Sequence, residues 1–156
     1  MTPRLWIFDA DGTLRRTTVP GRVCPRSPGE WALLPGVRAA IAPLAADPAV
    51  LFAIASNQDQ VGYGHLSAAM AERLLRDALR AATGREPPLG AIAFCPHPLE
   101  IPCACRKPNP GLLESLLGRF GVPPSAAVFV GDQPSDRAAA MGAGIAFRWA
   151  AEFFGW

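Results

Sequence analysis

Few residues of this sequence are charged, and no long apolar run occurs in it. Charged residues make up 18% of the 156 positions and hydrophobic residues 50%, a balance that excludes an intrinsically disordered chain. The first apolar run, residues 5–8, leads directly into acidic residues, and it is far shorter than the roughly 18 residues that a membrane span needs. We therefore expect a cytoplasmic protein without a membrane partner, and the length predicts one domain, residues 1–156.

Lysine is almost absent as well. Fourteen of the fifteen basic residues are arginines, and the only lysine is Lys107. The net charge of +2 is too weak by itself to indicate a nucleic-acid partner. A single lysine suits one specific role, such as placing a point positive charge beside an anion.

Apolar segments alternate with helical patterns along the chain. The apolar patterns predict strands at 4–8, 50–55, 91–94, 126–130 and 145–148. The periodic patterns predict helices at about 37–46, 67–81, 111–119 and 135–142. Residues 15–35 are rich in Pro, Gly and Arg and are expected to form a long loop. The alternation predicts an α/β fold, a Rossmann-like doubly wound and mostly parallel sheet without a large lid, whose site lies at the carboxyl ends of the strands.

Four carboxylates follow two of the predicted strands. Asp9 and Asp11 come after the first strand, and Asp132 and Asp136 come after the fourth. Carboxylates this close repel one another, so a divalent cation is expected among them. Because Mg²⁺ prefers hard oxygen ligands, the set fits Mg²⁺ better than Zn²⁺.

Groups that suit a phosphate lie at two other places in the sequence. Ser56 and Asn57 follow the second predicted strand, where a hydroxyl and a backbone N–H can face an anion, and Lys107 supplies a positive charge. Taken alone, an Asp-x-Asp pair is more often a solvated turn, and Ser-Asn is more often a helix cap. The order of the motifs along the chain is what favours a site.

That order, Asp-x-Asp-Gly-Thr, Ser-Asn, Lys and Gly-Asp-x-x-x-Asp, resembles the four motifs of the haloacid dehalogenase (HAD) superfamily across most of the chain. Receiver domains of bacterial signalling share the doubly wound sheet and the Mg²⁺ site. They fit less well, because they need an isolated aspartate after the third strand, and this chain has no aspartate between Asp77 and Asp132.

The resemblance implies phosphoryl transfer through an aspartyl-phosphate. Asp9 would be the nucleophile, and Asp11 would protonate the leaving oxygen and then act as the base on water. The Mg²⁺ ligands would be Asp9, the backbone carbonyl of Asp11 and Asp132, with Asp136 in support. The phosphate- and substrate-binding set would be Thr13, Ser56, Asn57, Arg106 and Lys107.

A cluster of cysteines and one histidine lies between residues 95 and 105. Its members are Cys95, His97, Cys103 and Cys105. Three thiolates and an imidazole complete the tetrahedral set that structural Zn²⁺ sites use. Disulfides are disfavoured in a cytoplasmic protein and bridge Cys-x-Cys positions poorly; free thiols with a hydrogen-bonded histidine are the other alternative. The cluster predicts a structural zinc loop.

Within a cap-less HAD fold, Cys-x-His followed by Cys-x-Cys-Arg-Lys-Pro resembles one subfamily. Its members are D-glycero-D-manno-heptose 1,7-bisphosphate phosphatases and histidinol-phosphate phosphatase domains. The resemblance implies that the zinc loop shapes the substrate pocket, that Lys107 binds phosphate and that Arg106 clamps substrate. The five-residue spacing before Cys103 and the run 57–59 are closer to the histidinol-phosphate type, and the Gly-Ile-x-Arg-Gly run of the heptose type is absent.

Two other functions stay open. A DNA 3′-phosphatase would use the Arg-rich loop 15–26 and the aromatic tail 147–156 to bind nucleic acid, although a solvated loop and core packing or a subunit contact explain the same features. A non-catalytic, zinc-stabilised phosphate-binding protein is the second. The residues that argue against it are Asp9, Asp11, Lys107 and Asp132. A small phosphorylated metabolite is the expected partner, and the chain is expected to be a monomer or a weak homo-oligomer.

Overall fold

A parallel sheet runs through the centre of the molecule, and the computed structural model describes it within residues 3–156. The strands are β1 (Leu5–Phe8), β2 (Arg15–Thr17), β3 (Trp31–Leu33), β4 (Leu51–Asn57), β5 (Ile92–Cys95), β6 (Ala127–Gly131) and β7 (Ala146–Trp149). Five of them form the main sheet in the order β5-β4-β1-β6-β7, with every neighbouring pair parallel. This is the doubly wound α/β arrangement that the alternation of segments predicts.

Helices cover both faces of the main sheet. They are α1 (Val37–Ala45), α2 (Asp59–Gly62), α3 (Ala68–Thr83), α4 (Gly111–Phe120), α5 (Pro134–Ala143) and α6 (Ala150–Phe154), with a 3₁₀ turn at Pro124–Ala126. The longest, α3, begins where the Ser67 hydroxyl accepts a hydrogen bond from the Met70 N–H at 3.0 Å, and it ends at Gly84 in the left-handed conformation. Both ends follow ordinary capping chemistry.

Two apolar clusters lie on opposite faces of the sheet. Ile7, Phe129 and Leu113 belong to the first cluster, and Phe8 and Leu75 belong to the second. Because β1 is buried on both faces, its four residues are all apolar rather than alternating. Within residues 3–156, none of the helices has both the length and the apolar character that a membrane crossing requires.

The segment 15–35 differs from its prediction as a long loop. It contains β2 and β3, which pair as a small antiparallel sheet with Arg15 opposite Leu33 and Thr17 opposite Trp31. Each of these strands has only three residues, too few for an alternating pattern to stand out in the sequence. The pairing brings the start of β2 back towards the end of β1, where the Asp-x-Asp motif lies.

The aromatic tail folds back onto the core instead of lying free. Phe154 is buried, and its ring lies 6.3 Å from the ring of Phe8. The indole N–H of Trp156 donates to the carbonyl of Pro35 at 2.7 Å. These contacts favour the core-packing interpretation of the tail.

Candidate active site

Three carboxylates and one ammonium group meet at the carboxyl ends of β1 and β6. These strands are neighbours, so Asp9 after β1 lies beside Asp132 after β6. One carboxylate oxygen each from Asp9, Asp132 and Asp136 lies within 4.8 Å of the others. The Lys107 Nζ donates to Asp9 Oδ1 at 2.8 Å, contacts Asp136 Oδ1 at 2.7 Å and donates to the carbonyl of Ala55 at 2.8 Å.

The charges of this cluster do not balance. Burial raises the pKa of Asp9 to about 7, although the nearby Lys107 opposes the shift. Burial and the charge of Asp9 raise the pKa of Asp136 as well. Burial alone would lower the pKa of Lys107, but the two carboxylates outweigh it and raise it. The cluster therefore holds three carboxylates and one ammonium, which contacts only Asp9 and Asp136. This excess of hard carboxylate oxygen fits a divalent cation such as Mg²⁺.

Thr13 and Gly12 adjust the position of the carboxylates. The Thr13 hydroxyl lies 3.3 Å from Asp9 Oδ2 and 3.1 Å from Asp132 Oδ1, and the residue is fully buried. Gly12 has a φ of 87°, and a Cβ there would collide with the Asp132 carboxylate. The Thr13 hydroxyl thus lies between two carboxylates, and its contact with phosphate stays a prediction.

Asp136 is committed at both oxygens. It stands at the third position of α5 in a capping box with Gln133. Its Oδ2 accepts from the backbone N–H groups of Asp132 and Gln133 at 3.1 and 3.0 Å, while Oδ1 faces Lys107. These contacts suit the supporting position that the resemblance implies for Asp136.

Asp11 lies outside the group of three carboxylates. Its Oδ1 accepts from Arg15 Nε at 2.9 Å, and its Oδ2 accepts from Arg15 Nη2 at 3.2 Å and from Gln58 Nε2 at 2.9 Å. Neither Arg15 nor Gln58 stands out in the sequence, because Arg15 is one of several arginines in an Arg-rich segment. The three-residue strand that carries it is what brings it to Asp11.

The end of β4 supplies one wall of the site. Ser56 is buried and its hydroxyl accepts from Gln58 Nε2 at 2.8 Å. The Asn57 side chain donates to the Lys107 carbonyl at 3.1 Å and accepts from the Lys107 N–H at 3.0 Å. Asn57 therefore holds the backbone of the lysine through its side chain, whereas sequence reasoning considered only the Asn57 backbone N–H.

These groups surround a small cleft of about 160 Å³. The residues that line it are Asp9, Asp11, Ser56, Asn57, Lys107, Gln133, Ser135 and Asp136. Gln133 and Ser135 are additions that the motif pattern did not indicate. Both stand at the beginning of α5, where a helix N-terminus favours negatively charged groups.

The predicted zinc ligands converge. Cys95 Sγ lies 3.2 Å from His97 Nδ1 and 2.9 Å from Cys105 Sγ, and Cys103 Sγ lies 3.6 Å from Cys95 Sγ. All four ligand atoms lie within 4.8 Å of one another. A backbone N–H, from Arg106, donates to Cys103 Sγ at 3.4 Å. Four soft donors around one point fit a closed Zn²⁺ site.

Arg106 belongs to this loop and does not line the cleft. Its Nη2 donates to the carbonyls of His97 and Ile101 at 3.4 and 3.0 Å, and it also contacts the carbonyl of Pro98. Carbonyls of its own loop take up this end of the guanidinium, and the clamping of substrate by Arg106 stays a prediction.

The zinc loop also contacts the segment after β4. The Tyr63 hydroxyl lies 2.7 Å from Glu100 Oε2, to which it donates, and it accepts from the Leu99 N–H at 3.0 Å. A side chain at Gly62 would collide with Pro98 and the Pro96 carbonyl. The segment that lacks the heptose-type run is thus packed against the loop that holds the cysteines.

Two arginines of the segment 15–26 are paired. Arg22 Nη1 contacts Glu30 Oε2 at 2.7 Å, and Arg26 Nη2 donates to Gln60 Oε1 at 3.3 Å. The hydrogen bond from the Arg26 backbone N–H lowers the pKa of Glu30. Internal pairing is what a folded loop needs, and it favours the structural interpretation of these arginines over a nucleic-acid surface.

Comparison with known proteins finds similarity at three levels. A family model described as HAD-hydrolase-like matches residues 104–149. A D-glycero-beta-D-manno-heptose-1,7-bisphosphate 7-phosphatase of Bordetella bronchiseptica is 35% identical over 144 residues, 92% of this chain and 78% of the relative. A D-glycero-alpha-D-manno-heptose-1,7-bisphosphate 7-phosphatase of Mycobacterium tuberculosis is 34% identical over 130 residues, 83% of this chain and 67% of the relative.

A solved structure agrees with the sequence comparison. The crystal structure of D,D-heptose 1,7-bisphosphate phosphatase from B. bronchiseptica, complexed with magnesium and phosphate, matches with a TM-score of 0.76 and 33% identity. The match covers 92% of this chain and 78% of that one. The DNA 3′-phosphatase and the non-catalytic alternative find no support in these relatives.

Proposed function

The chain belongs to the heptose-1,7-bisphosphate 7-phosphatase family of HAD-like hydrolases and is a phosphatase, and from this premise we propose that it dephosphorylates a small phosphorylated sugar. D-glycero-D-manno-heptose 1,7-bisphosphate is the first candidate, and histidinol phosphate is the second. The observation that carries the proposal is the buried Lys107 ammonium, placed between Asp9 and Asp136 at the carboxyl end of the central strand.

In the first step, the Asp9 carboxylate attacks phosphorus. A bond forms between an Asp9 oxygen and phosphorus, the ester P–O bond breaks, and Asp11 gives its proton to the leaving oxygen. Lys107 and the N–H groups near Ser56 and Ser135 would offset the charge on the phosphoryl oxygens. The products of this step are the free alcohol and an aspartyl-phosphate.

In the second step, the Asp11 carboxylate takes a proton from water. The water oxygen attacks phosphorus, the bond to Asp9 breaks, and inorganic phosphate is released. Asp9 is again a carboxylate and Asp11 again carries a proton, so the cycle closes without any other reactant.

Mg²⁺ is the proposed catalytic metal. Asp9, Asp132 and the backbone carbonyl of Asp11 would hold it, with Asp136 in support. When bound, the ion would draw charge from the phosphoryl oxygens and reduce their repulsion of the Asp9 carboxylate. The crowding of the three carboxylates and the raised pKa values of Asp9 and Asp136 support this assignment.

Zn²⁺ is proposed as a structural ion. Cys95, His97, Cys103 and Cys105 would form a closed set of four ligands, which leaves no position for a reacting water. Lys107 follows Cys105 by two residues, so a rigid zinc loop would fix the backbone from which the lysine reaches Asp9.

The substrate is tested by measuring phosphate release in parallel reactions with Mg²⁺. The panel contains the α and β anomers of heptose 1,7-bisphosphate, histidinol phosphate and a 3′-phosphorylated oligonucleotide, with Asp9→Asn as the inactive control. We expect a preference for a heptose bisphosphate and a loss of at least ~10³-fold in the control. Preference for histidinol phosphate would correct the substrate, and inactivity on every compound would contradict the proposal.

A further inference from the structure

The Asp11 carboxylate is held by a fork of donors from two different elements. Arg15 stands at the start of β2 and Gln58 directly follows β4. The turn between β1 and β2 is closed by hydrogen bonds from the Arg15 N–H to the Ala10 carbonyl at 3.1 Å and from the Gly12 N–H to the Arg15 carbonyl at 2.9 Å. This turn places the Arg15 guanidinium against Asp11, with its Nε and Nη2 on the two carboxylate oxygens.

Counting the hydrogen bonds distinguishes the two oxygens of Asp11. A carboxylate offers about two acceptor positions on each oxygen. Oδ2 accepts from both Arg15 and Gln58, so its positions are filled. Oδ1 accepts from Arg15 alone and keeps one position open. Oδ1 is therefore the oxygen with a position free to carry a proton.

The two supporting side chains are themselves incompletely bonded. Arg15 and Gln58 are each about 1% exposed. Within the part of the chain that the structure describes, Arg15 Nη1 and Gln58 Oε1 are buried without a hydrogen-bond partner. Burying an unsatisfied polar atom lowers the free energy of unfolding, and an apolar residue of similar shape would avoid that cost. Stability alone therefore does not account for this polar pair beneath Asp11.

We propose that Arg15 and Gln58 are positioning residues that hold Asp11 with Oδ1 free for proton transfer. The inference rests on the proposed function, in which Asp11 is the acid in the first step and the base in the second. Neither residue is among those that line the cleft; both act through the orientation of Asp11. Three hydrogen bonds to the two oxygens also keep the carboxylate from rotating so that Oδ1 and Oδ2 exchange places.

The experiment compares two leaving groups. Heptose 1,7-bisphosphate releases an alkoxide that needs a proton, whereas 2,4-dinitrophenyl phosphate releases a stable anion that needs none. The value of kcat/KM reports on the phosphorylation of Asp9. For Gln58→Met we expect kcat/KM to fall about tenfold or more on the sugar phosphate and less than about threefold on the aryl phosphate. Arg15→Met should show the same selectivity, and Arg15→Lys should recover part of the loss.

Two further readouts separate positioning from a structural effect. Because Asp11 also activates water, Gln58→Met should show a burst of dinitrophenolate when hydrolysis of the aspartyl-phosphate becomes slow. In an Asp11→Asn background, neither substitution should lower the rate on the sugar phosphate further, since the residue through which both act is gone.

Arg85→Met is the matched control. The Arg85 guanidinium donates to the Val50 carbonyl at 2.8 Å and lies 5.2 Å from the centre of the Phe52 ring, and it is absent from the residues that line the cleft. We expect this variant to lower the thermal midpoint without changing the ratio of the two kcat/KM values.

The possible results separate the two ideas. Equal losses on both substrates, no loss in Gln58→Met, or losses that add to that of Asp11→Asn would overturn the positioning role while leaving the phosphatase intact. A wild-type chain that cleaves neither substrate would contradict the proposed function, and the inference with it. If Arg15→Met fails to fold, Gln58→Met decides, because it removes a neutral amide whose Oε1 has no partner and leaves the Arg15–Asp11 ion pair in place.

Discussion

Lys107 connects the site to the surrounding fold through both its side chain and its backbone. It is buried, and its ammonium reaches two carboxylates and the Ala55 carbonyl. The backbone of the same residue is held by the Asn57 side chain through two hydrogen bonds. The lysine is thus fixed at both ends, as a group must be if it is to meet charge that develops on a phosphoryl oxygen.

We predict that Lys107→Met destabilises the protein as well as inactivating it. Removing one partner of a buried ion pair leaves uncompensated charge and costs about 3–5 kcal/mol. Here Asp9 and Asp136 would both lose their counter-ion. The free energy of unfolding, measured by urea titration with a chelator present, should fall by an amount in that range.

A double-mutant cycle checks the cause. In an Asp136→Asn background, Lys107→Met should cost at least about 1 kcal/mol less, because one of the two carboxylates is already neutral. Added Mg²⁺ should recover part of the stability of the single variant, since the ion supplies the missing positive charge. Equal stability of wild type and Lys107→Met would show that the pair contributes nothing to folding.

The sequence identified the charged groups of the site but not how each is used. Asp9 and Asp132 follow apolar runs, so their place at one edge of the sheet is predictable from strand ends alone. The use of Thr13 and Arg106 is not, because both side chains turn to groups that only the folded loops bring near them. The contacts of Gln58 and Arg15 with Asp11 were missed for the same reason: the run 57–59 and the Arg-rich loop 15–26 were noted, but no motif connects either with Asp11.

Among the elements, the segment 95–105 is the one whose conformation we expect to depend on a bound ion, the proposed Zn²⁺. Three prolines, at positions 96, 98 and 102, and the carbonyl contacts of Arg106 restrict it. The side chains of its three cysteines and His97 converge to within 4.8 Å of one another, as expected for residues that share a metal ion. The segment joins β5 to Lys107, so its order is transmitted directly to the site.

We predict one Zn²⁺ per chain, lost in Cys103→Ser. The loop should then loosen, the thermal midpoint should fall, and phosphate release should drop because the backbone of Lys107 is less well fixed. Metal content is measured by mass spectrometry beside a thermal unfolding curve.

Cys24→Ser is the matched control for this element. Cys24 is also buried, but burial raises the pKa of its thiol to about 11, and it lies outside the four-residue cluster. This variant should keep its zinc. A wild-type protein that folds stably without zinc would contradict the assignment.

Long apolar elements were predictable, and short polar ones were not. The β4 strand and α3 differ from their predicted bounds by two residues at most, because their burial imposes a clear pattern. The strands β2 and β3 carry no such pattern: Arg15 is fully buried on β2 because it pairs with Asp11, which propensity cannot reveal. What the sequence missed is therefore concentrated beside the site.

At the scale of the whole molecule, the last helix, α6, packs against the first strand, β1, next to the site. Strand β1 occupies the middle of the sheet, and α6 packs on the same face as Phe8. The rings of Phe153 and Phe154 lie 6.0 and 6.3 Å from Phe8, one residue before Asp9. The tail thus supports the strand that carries the proposed nucleophile.

We predict that Phe154→Ala lowers the free energy of unfolding by about 3 kcal/mol, as expected for the loss of a buried phenyl group. The substrate preference should stay unchanged, because the ring packs against Phe8 of the central strand and is not among the residues that line the cleft. Val23→Ala, at a residue that is 68% exposed, should change the free energy of unfolding by less than about 0.5 kcal/mol.

If the tail were a base-stacking surface instead, Phe154→Ala would weaken binding of a 3′-phosphorylated oligonucleotide and leave the unfolding curve in place. Fluorescence anisotropy beside urea unfolding distinguishes the two results, and the buried stack of rings favours the first.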